Sequence, residues 1–266
     1  MSIDANLLLL VASRMMILPQ HYTTVPPNNN ASSGAGACRI FHTALSQGQC
    51  GSCAAFAVAA LIGMRACLFE HRDFIPSPYR IFDCCPEASC EDGTSVHRAA
   101  AVANFGVGDL RSSPLVYGLP CKMESQHALL KVPLRLSHVA VVDPLAIKTA
   151  LWLYGPLLGR AHRSLSPHAF EDNAQETHEK SHAVVVVGWD ADSNWILQNS
   201  WGEEWGDAYG RGRVTPETLH MVVDPSVRDT MWICLVALLG TVIALSVTLA
   251  FGEKSKPKVK TDGCAA

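Results

Sequence analysis

Apolar positions along the chain follow a helical pattern first and a strand pattern later. Residues 53–69 (CAAFAVAALIGMRACLF) are apolar nearly all round, which predicts a buried helix. A second helix is predicted over residues 95–107, where glycines end the pattern. A third is predicted over residues 143–156, which open with aspartate and proline and end at a glycine.

Three later segments have the character of strands. Residues 182–190 (HAVVVVGWD) are β-branched without a helical period, and residues 194–201 (NWILQNSW) are apolar between polar ends. Residues 208–214 (AYGRGRV) form a glycine-containing strand pattern. Helices that come first and strands that come later predict an α+β protein with segregated halves. Residues 19–37 lack apolar periodicity and are rich in Pro, Asn, Ser and Gly, so we expect a flexible lead-in there.

One uncharged run, residues 231–251 (MWICLVALLGTVIALSVTLAF), is long enough to cross a hydrocarbon core of about 30 Å as a helix. We interpret it as a single transmembrane helix rather than a buried soluble helix, since core helices of this length usually keep a polar face. The lysines in residues 252–266 predict a basic cytoplasmic tail. The domain before the membrane is therefore expected to be lumenal or extracellular.

The N-terminal lead-in, residues 1–37, gives weaker evidence on membrane topology than the C-terminal run. Its short apolar core, residues 6–13 (NLLLLVAS), has no basic residue before it, so it reads as a weak signal peptide or a residual pro-region. If no signal operates, a tail-anchored protein with a cytosolic domain is the competing topology. Asn30 begins an Asn-Ala-Ser sequon, a glycosylation candidate that can be used only in the lumen.

Composition and charge narrow the function classes. With 48% hydrophobic and 17% charged residues, the 266-residue chain is expected to fold around a substantial core. Its net charge of −3 provides no overall basic surface, so nucleic-acid binding is set aside. All but two of the ten cysteines fall within residues 38–121, a density that favours disulfides in an oxidising compartment. A zinc ribbon is the alternative for CGSC at residues 50–53, although no second matching pair follows.

Residues 178–182 (HEKSH) match the two-histidine zinc-protease signature, in which both histidines bind the metal and the glutamate is a general base. In that signature a helix places both histidines on one face, where they can bind the same metal. Here His182 begins a valine run that favours a strand, in which side chains four apart lie about 13 Å from each other, too far to share a metal. We therefore expect no metal site, and His178 is interpreted as a loop histidine.

Cys53 offers a different chemistry. It stands at the start of an apolar helix, where the helix dipole stabilises a thiolate and lowers the thiol pKa. A thiolate nucleophile needs a histidine as base and proton donor, held by a third group. The strand that starts at His182 and the QNSW segment that contains Asn199 can supply both.

Three blocks, QGQCGSCAAF, SHAVVVVGW and NSWGEEWGDAYGRG, resemble the signature blocks of the papain-like cysteine proteases, in the same order. His182 follows Cys53 at close to the roughly 130 to 150 residues expected in that family. The resemblance covers residues 38–222. It implies a two-lobe fold with an active-site cleft, in which residues 38–125 form the helical lobe and residues 126–222 the β-rich lobe.

The resemblance implies a role for each matched residue. Cys53 would be the nucleophile, His182 its acid and then its base, and Asn199 the group that orients the imidazole. Gln47 and the backbone N–H of Cys53 would form the oxyanion hole. Trp201, in the NSWG block, would cover the hydrogen bond between the imidazole and the asparagine.

A looser match concerns the loop that faces the nucleophile. The CEDG sequence at residues 90–93 resembles the family's Cys-Asn-Gly-Gly, whose glycine lets a substrate backbone approach. Gly93 is the candidate for that role. Ala54 departs from the family, which carries a large aromatic directly after the nucleophile.

Three disulfides in the helical lobe are implied as well. One of them falls where the cathepsin B branch has an extra bridge, but no paired histidines or loop of sufficient length match that branch's occluding loop. Endopeptidase rather than carboxydipeptidase activity is therefore expected. Cys85 could replace Cys84 in one pair. The implied pairs are Cys38–Cys67, Cys50–Cys90 and Cys84–Cys121.

The activity implied by the resemblance is hydrolysis of polypeptide substrates without a cofactor, with cystatin-like proteins as possible inhibitors. The enzyme would be tethered to a lipid bilayer through residues 231–251 in the endolysosomal or secretory pathway. The alternative is a papain-like binding or scaffold protein that has lost catalysis, and a zinc metalloprotease is a further one. Inactive relatives typically lose the nucleophile or the histidine, and Cys53 and His182 are both present here.

Overall fold

The computed structural model describes residues 18–25, 38–121 apart from 107 and 114, 140–141, 143–161 and 182–223. All of these belong to the first of two units into which the chain divides, Met1–Ser226. The predicted transmembrane run and basic tail, the Asn30 sequon and the first four residues of the HEKSH motif lie outside the described residues.

Helices and strands segregate along the chain much as the sequence predicts. The helices are α1 (Cys53–Glu70), α2 (Pro78–Asp83), α3 (Val96–Phe105) and α4 (Pro144–Tyr154). The strands are β1 (Tyr22–Thr23), β2 (Ala140–Val141), β3 (Leu157–Ala161), β4 (His182–Trp189), β5 (Trp195–Gln198), β6 (Arg211–Val214) and β7 (Leu219–Val223). Short 3-10 turns occupy Arg39–His42, Leu110–Ser112, Ala208–Gly210 and Pro216–Thr218.

The three predicted helices are confirmed as α1, α3 and α4. Side chains at the N-cap position start two of them: Ser95 accepts a hydrogen bond from the N–H of Arg98, and Asp143 accepts one from the N–H of Ala146. The short helix α2 was not predicted, although it carries the same signal. Ser77 caps it and Pro78 is its first residue.

The strands form one antiparallel sheet in the order β2-β7-β3-β4-β5-β6, and β1 pairs with the end of β4. The predicted strand segments correspond to β4, β5 and β6, except that Ala208–Gly210 is a 3-10 turn. β1 is a correction, because it lies in the expected flexible lead-in. Its backbone pairs with Gly188 and Trp189, and backbone pairing over two residues leaves no periodic pattern to detect.

Strand β4 is buried on both faces. Ala183, Val185 and Val187 pack into the hydrophobic cluster that contains α1. Val184 and Val186 pack into a second cluster, which contains α4. A strand covered on both faces needs apolar residues at successive positions, and this explains why the valine run does not alternate with polar residues.

Helix α1 is the core of the helical half. Every residue from Ala54 to Cys67 in it is buried, because helices α2 and α3 and the sheet surround it. By length and composition it is also the one helix in the described ranges that could cross a membrane, and 78% of its most apolar window is buried inside the protein.

Three disulfides tie the helical half together, over sequence separations of 29, 40 and 37 residues. Loops of this size make each bridge worth about 3–4 kcal/mol in the chain-entropy account. Cys121 bonds to Cys84 and not to Cys85, which stays a buried thiol. The bridges are Cys38–Cys67, Cys50–Cys90 and Cys84–Cys121.

Candidate active site

Cys53 is the first residue of α1 and is partly buried at the wall of an open cleft of about 260 Å³. Gln47, His182 and Trp201 line the same cleft. The segment before α1 and the sheet therefore contribute opposite walls, so residues that are far apart in sequence face one space.

The environment of the Cys53 thiol acts on its pKa in two directions. Burial raises the pKa, and hydrogen bonds from the backbone N–H groups of Ala183, Ala54 and Cys53 itself lower it. The net direction is upward. The lowered pKa predicted from the helix dipole alone is therefore wrong for the thiol taken singly, because loss of water has the larger effect. The bond from Ala183 also brings the sulfur next to the first residues of β4.

His182 begins β4 and is 7% exposed. Burial lowers the pKa of its imidazole, and the hydrogen bond with Asn199 opposes this. Taken singly, the thiol and the imidazole are thus both driven towards their neutral forms. A thiolate and an imidazolium that formed together in this cleft would attract each other, which would favour the charged pair over either charged group alone.

Asn199 fixes the imidazole through a short hydrogen bond. Its Oδ1 lies 2.7 Å from Nε2 of His182 and also accepts the backbone N–H of Ser200 at 2.7 Å. The bond from the Ser200 N–H identifies this atom as the amide oxygen, which can only accept, so Nε2 of His182 carries a proton. The Nδ1 atom is left to exchange protons with a group in the cleft.

Trp201 stacks on the imidazole, with ring centroids 4.6 Å apart and planes 25° from parallel. Its indole also meets Trp205 edge to face, with centroids 5.8 Å apart. The stacked ring covers one face of the imidazole, and the His182–Asn199 hydrogen bond is buried. A hydrogen bond in a less polar environment is stronger.

Gln47 connects the two walls of the cleft. Its Nε2 donates to the carbonyl oxygen of Cys50 at 2.8 Å, and its Oε1 accepts the hydroxyl of Ser200 at 2.6 Å. Its backbone N–H donates to the Ser200 carbonyl at 2.8 Å. A primary amide has two N–H donors, so the second is left for a ligand in the cleft.

Gly93 lies against Gly51, with φ at 77°. A Cβ atom on Gly93 would be 2.5 Å from the Gly51 carbonyl oxygen. Close packing and the positive φ therefore require glycine here, and approach of a substrate backbone at this position stays a prediction.

Tyr117 supports the cleft and was missed in the sequence. Its hydroxyl donates to the Gln47 carbonyl at 3.0 Å and lies 2.7 Å from the Ser52 hydroxyl. Because its one proton is used by Gln47, the Ser52 hydroxyl is the donor to it. No local pattern marks a tyrosine that acts on residues so far upstream. Glu91, which lines the cleft, was likewise not singled out.

The zinc interpretation finds no support among the described residues. His182 is in a strand, as the valine run predicts. Within those ranges, no three His, Cys, Asp or Glu side chains form a group that could hold a metal. His178 and Glu179 lie outside the described residues.

Comparisons with known proteins point to one family. A model described as "Papain family cysteine protease" matches residues 32–217. The chain is 26% identical to a cathepsin L-like proteinase of Phaedon cochleariae, covering 66% of this chain and 57% of that protein. It is 28% identical to cathepsin K of Mus musculus, covering 61% of this chain and 53% of that protein. The chain thus spans a little over half the length of these curated relatives.

Solved structures show the same fold. Digestive procathepsin L 3 of Tenebrio molitor superposes with a TM-score of 0.56 at 19% identity, covering 84% of this chain and 79% of that chain. The bromelain protease of Ananas comosus, solved with the E64 inhibitor, gives a TM-score of 0.57 at 19% identity, covering 78% of this chain and 99% of that chain. The described residues therefore have a papain-like fold.

The lowered pKa of His182 predicts a pH dependence of stability. A histidine whose pKa is lower when folded binds a proton more readily in the unfolded chain, so the free energy of unfolding should fall as the pH drops below the ordinary value of 6.5. His182→Asn removes this contribution. Its denaturant midpoint should therefore fall less steeply than that of the wild type between pH 7.5 and pH 5, and parallel curves would contradict the assignment.

Removal of the Tyr117 hydroxyl should loosen the cleft. Tyr117→Phe keeps the ring contacts with Tyr79 and Phe82 but leaves the Gln47 carbonyl and the Ser52 hydroxyl without this partner. We expect the free energy of unfolding to fall by about 1–3 kcal/mol in chemical denaturation. Tyr79→Phe is the matched control, because its hydroxyl bond to Ser46 is exposed, and it should cost less than about 0.5 kcal/mol. Equal losses of unfolding free energy in the two variants would show that the Tyr117 hydrogen bonds contribute no more to stability than an exposed one.

Proposed function

We propose, since the chain belongs to the papain family of cysteine proteases, that it cleaves peptide bonds as an endopeptidase through Cys53, His182 and Asn199. The observation that carries the proposal is that Cys53 and His182 line one cleft, while Asn199 holds the imidazole at 2.7 Å in one tautomer. A nucleophile, a base and a group that orients the base are the parts that covalent catalysis of acyl transfer needs.

In the first half of the reaction, His182 takes the thiol proton and the Cys53 sulfur attacks the carbonyl carbon of the scissile bond. The carbonyl electron pair moves to its oxygen, which the backbone N–H of Cys53 and the free amide N–H of Gln47 would stabilise. When the pair returns, the C–N bond breaks and His182 gives its proton to the leaving amine. A thioester with Cys53 remains.

In the second half, His182 accepts a proton from a water molecule that attacks the thioester carbonyl. The same oxyanion donors stabilise the second tetrahedral intermediate, the C–S bond breaks, and the sulfur leaves with the proton shared again with His182. Asn199 keeps Nε2 protonated throughout, so Nδ1 is the atom that exchanges protons in both halves. Trp201 keeps water from competing for that hydrogen bond.

Substitution of the nucleophile tests the proposal directly. The full-length protein is treated with an epoxide or vinyl-sulfone probe, and we expect covalent labelling of the wild type and none of Cys53→Ala. Among the described residues, Cys85 is the other free thiol, and Cys85→Ala is its control, which should label like the wild type because that thiol is buried. Equal labelling of the wild type and Cys53→Ala, or no labelling of a folded wild type, would favour an inactive papain-like binding protein.

We further propose that residues 231–251 tether the domain to a membrane, with the domain on the lumenal side. The uncharged run and the lysines that follow it support this proposal on the sequence alone. The three disulfides of the helical half fit folding in an oxidising compartment.

Glycosylation reports the topology. If the domain is lumenal, Asn30 should carry a glycan in cells, and Asn30→Gln should remove an endoglycosidase-sensitive shift in gel mobility. The protein should also remain in the membrane fraction after carbonate extraction. Cleavage of the domain by protease added to the cytosolic side of intact vesicles would reverse the assignment.

A further inference from the structure

Two facing side chains hold the end of the strand that leads into Asn199. Gln198, the last residue of β5, lies directly opposite Arg211, the first residue of β6. Residues that lie opposite each other in an antiparallel pair project from the same face of the sheet, with their Cβ atoms about 5 Å apart. Nε of Arg211 accordingly donates to Oε1 of Gln198 at 3.1 Å. The Gln198 amide is therefore held at its oxygen.

The guanidinium of Arg211 is itself held by two further contacts. One of its terminal nitrogens donates to the carbonyl oxygen of Phe41, in the helical half. The centre of the guanidinium lies 5.6 Å from the centre of the Tyr209 ring. Tyr209 has φ at 64°, a backbone conformation that residues other than glycine seldom adopt. Because the planar guanidinium presents several donors in fixed directions, it can bond Gln198 and Phe41 at the same time.

The nitrogen of the Gln198 amide acts on Asn199. Since Arg211 can only donate hydrogen bonds, the amide oxygen faces it and the amide nitrogen faces away from it. That nitrogen donates to the carbonyl oxygens of Tyr209 at 2.8 Å and Asn199 at 3.3 Å. The backbone N–H of Asn199 donates to the Gly210 carbonyl at 3.0 Å. The peptide groups on both sides of the Asn199 Cα are thus held in place.

Asn199 depends on this backbone support because its side chain is bonded at one atom. Its Oδ1 accepts from Nε2 of His182 and from the N–H of Ser200. Its Nδ2 is buried and has no hydrogen-bond partner in the part of the chain that the structure describes. An amide bonded through its oxygen alone follows any movement of the backbone that carries it. A displaced backbone would therefore lengthen the 2.7 Å bond to His182.

We infer that Arg211 is a positioning residue for catalysis, because its hold on Gln198 keeps Asn199 where Oδ1 selects the His182 tautomer with the proton on Nε2. This inference rests on the proposed function. With a longer bond, the imidazole gains the tautomer in which Nδ1 carries the proton and cannot accept one from the thiol. Loss of Arg211 should therefore lower kcat. KM should change little, since Arg211 is not among the residues that line the cleft.

The His182 tautomer can be measured without catalysis. The full-length Cys53→Ala protein is labelled with 15N-histidine, and the His182 signals are assigned by their loss in His182→Asn. At pH 7.5 we expect a protected Nε2 proton and the nitrogen shifts of a single tautomer. Addition of Arg211→Met should expose that proton to exchange with water and move both nitrogen shifts towards a mixture of tautomers.

Kinetics of the active protein give a second readout. Misplacement by 1 Å can cost about a hundredfold in rate, and the smaller shift expected in Arg211→Met should lower kcat about tenfold, with KM within about twofold. Arg213→Met is the matched control. It removes the same charge two residues along β6, where the side chain is exposed and pairs with Asp207, and it should behave like the wild type.

A double variant separates positioning from stability. Gln198→Met with Arg211→Met replaces both partners of their hydrogen bond by apolar side chains, which costs less than leaving one partner unpaired. Its denaturant midpoint should therefore lie above that of Arg211→Met. The Nε2 proton and kcat should not recover, because the donor to the Asn199 carbonyl is gone. Recovery of both along with the midpoint would reduce Arg211 to a structural role and overturn the inference.

The two readouts separate failure of the inference from failure of the proposed function. Loss of the protected Nε2 proton in Arg211→Met, in a protein that cleaves no peptide, would sustain the action of Arg211 on His182 and reject catalysis. An active wild type whose folded Arg211→Met variant keeps both kcat and the protected proton would reject the inference and leave the protease proposal intact.

Discussion

The packing of β4 against α1 is the contact on which the site depends. Alternate residues on one face of β4 enter the same hydrophobic cluster as α1, and the first residues of these two elements are His182 and Cys53. The placement of the thiol and the imidazole in one cleft is thus a consequence of core packing. A shift of β4 by one residue would exchange the side chains on its two faces and remove His182 from the cleft. The register that buries the valines therefore also determines the position of His182.

A second set of contacts joins the two walls of the cleft. Gln47 is bonded through both its side chain and its backbone to Ser200, which directly follows Asn199. Tyr117 donates a hydrogen bond to the Gln47 carbonyl from a loop at the end of the helical half. The Asp83 carboxylate accepts the backbone N–H groups of Gly118 and Leu119 in this loop, and the Cys84–Cys121 disulfide closes it. Gln47, which is proposed to stabilise charge, is therefore positioned by Ser200 and Tyr117, which are not among the residues that line the cleft.

Elements with strong local patterns were predictable from the sequence. The apolar run of α1 is compatible with a helix and the valine run of β4 with a strand, so both elements could be predicted. The order of the three signature blocks predicted that Cys53, His182, Asn199 and Gln47 belong to one site. What was missed depends on contacts distant in sequence. β1 is held by backbone pairing with Gly188, Tyr117 acts on Gln47 across the helical half, and Gly93 packs against Gly51, which is far from it in sequence. The direction of the Cys53 thiol pKa shift was not predicted, because a position at the start of a helix does not show how deeply the thiol is buried.

The covered faces of β4 also bear on how the chain avoids aggregation. An exposed segment of consecutive valines with no charge is the kind of sequence that forms intermolecular strands. In the folded protein α1 and α4 cover its faces, and β3 and β5 occupy its edges. Since α1 and its disulfide-bonded surroundings precede β4 in the chain, they emerge first during synthesis. The packing partner for one face of the valine run is therefore already synthesised when β4 leaves the ribosome.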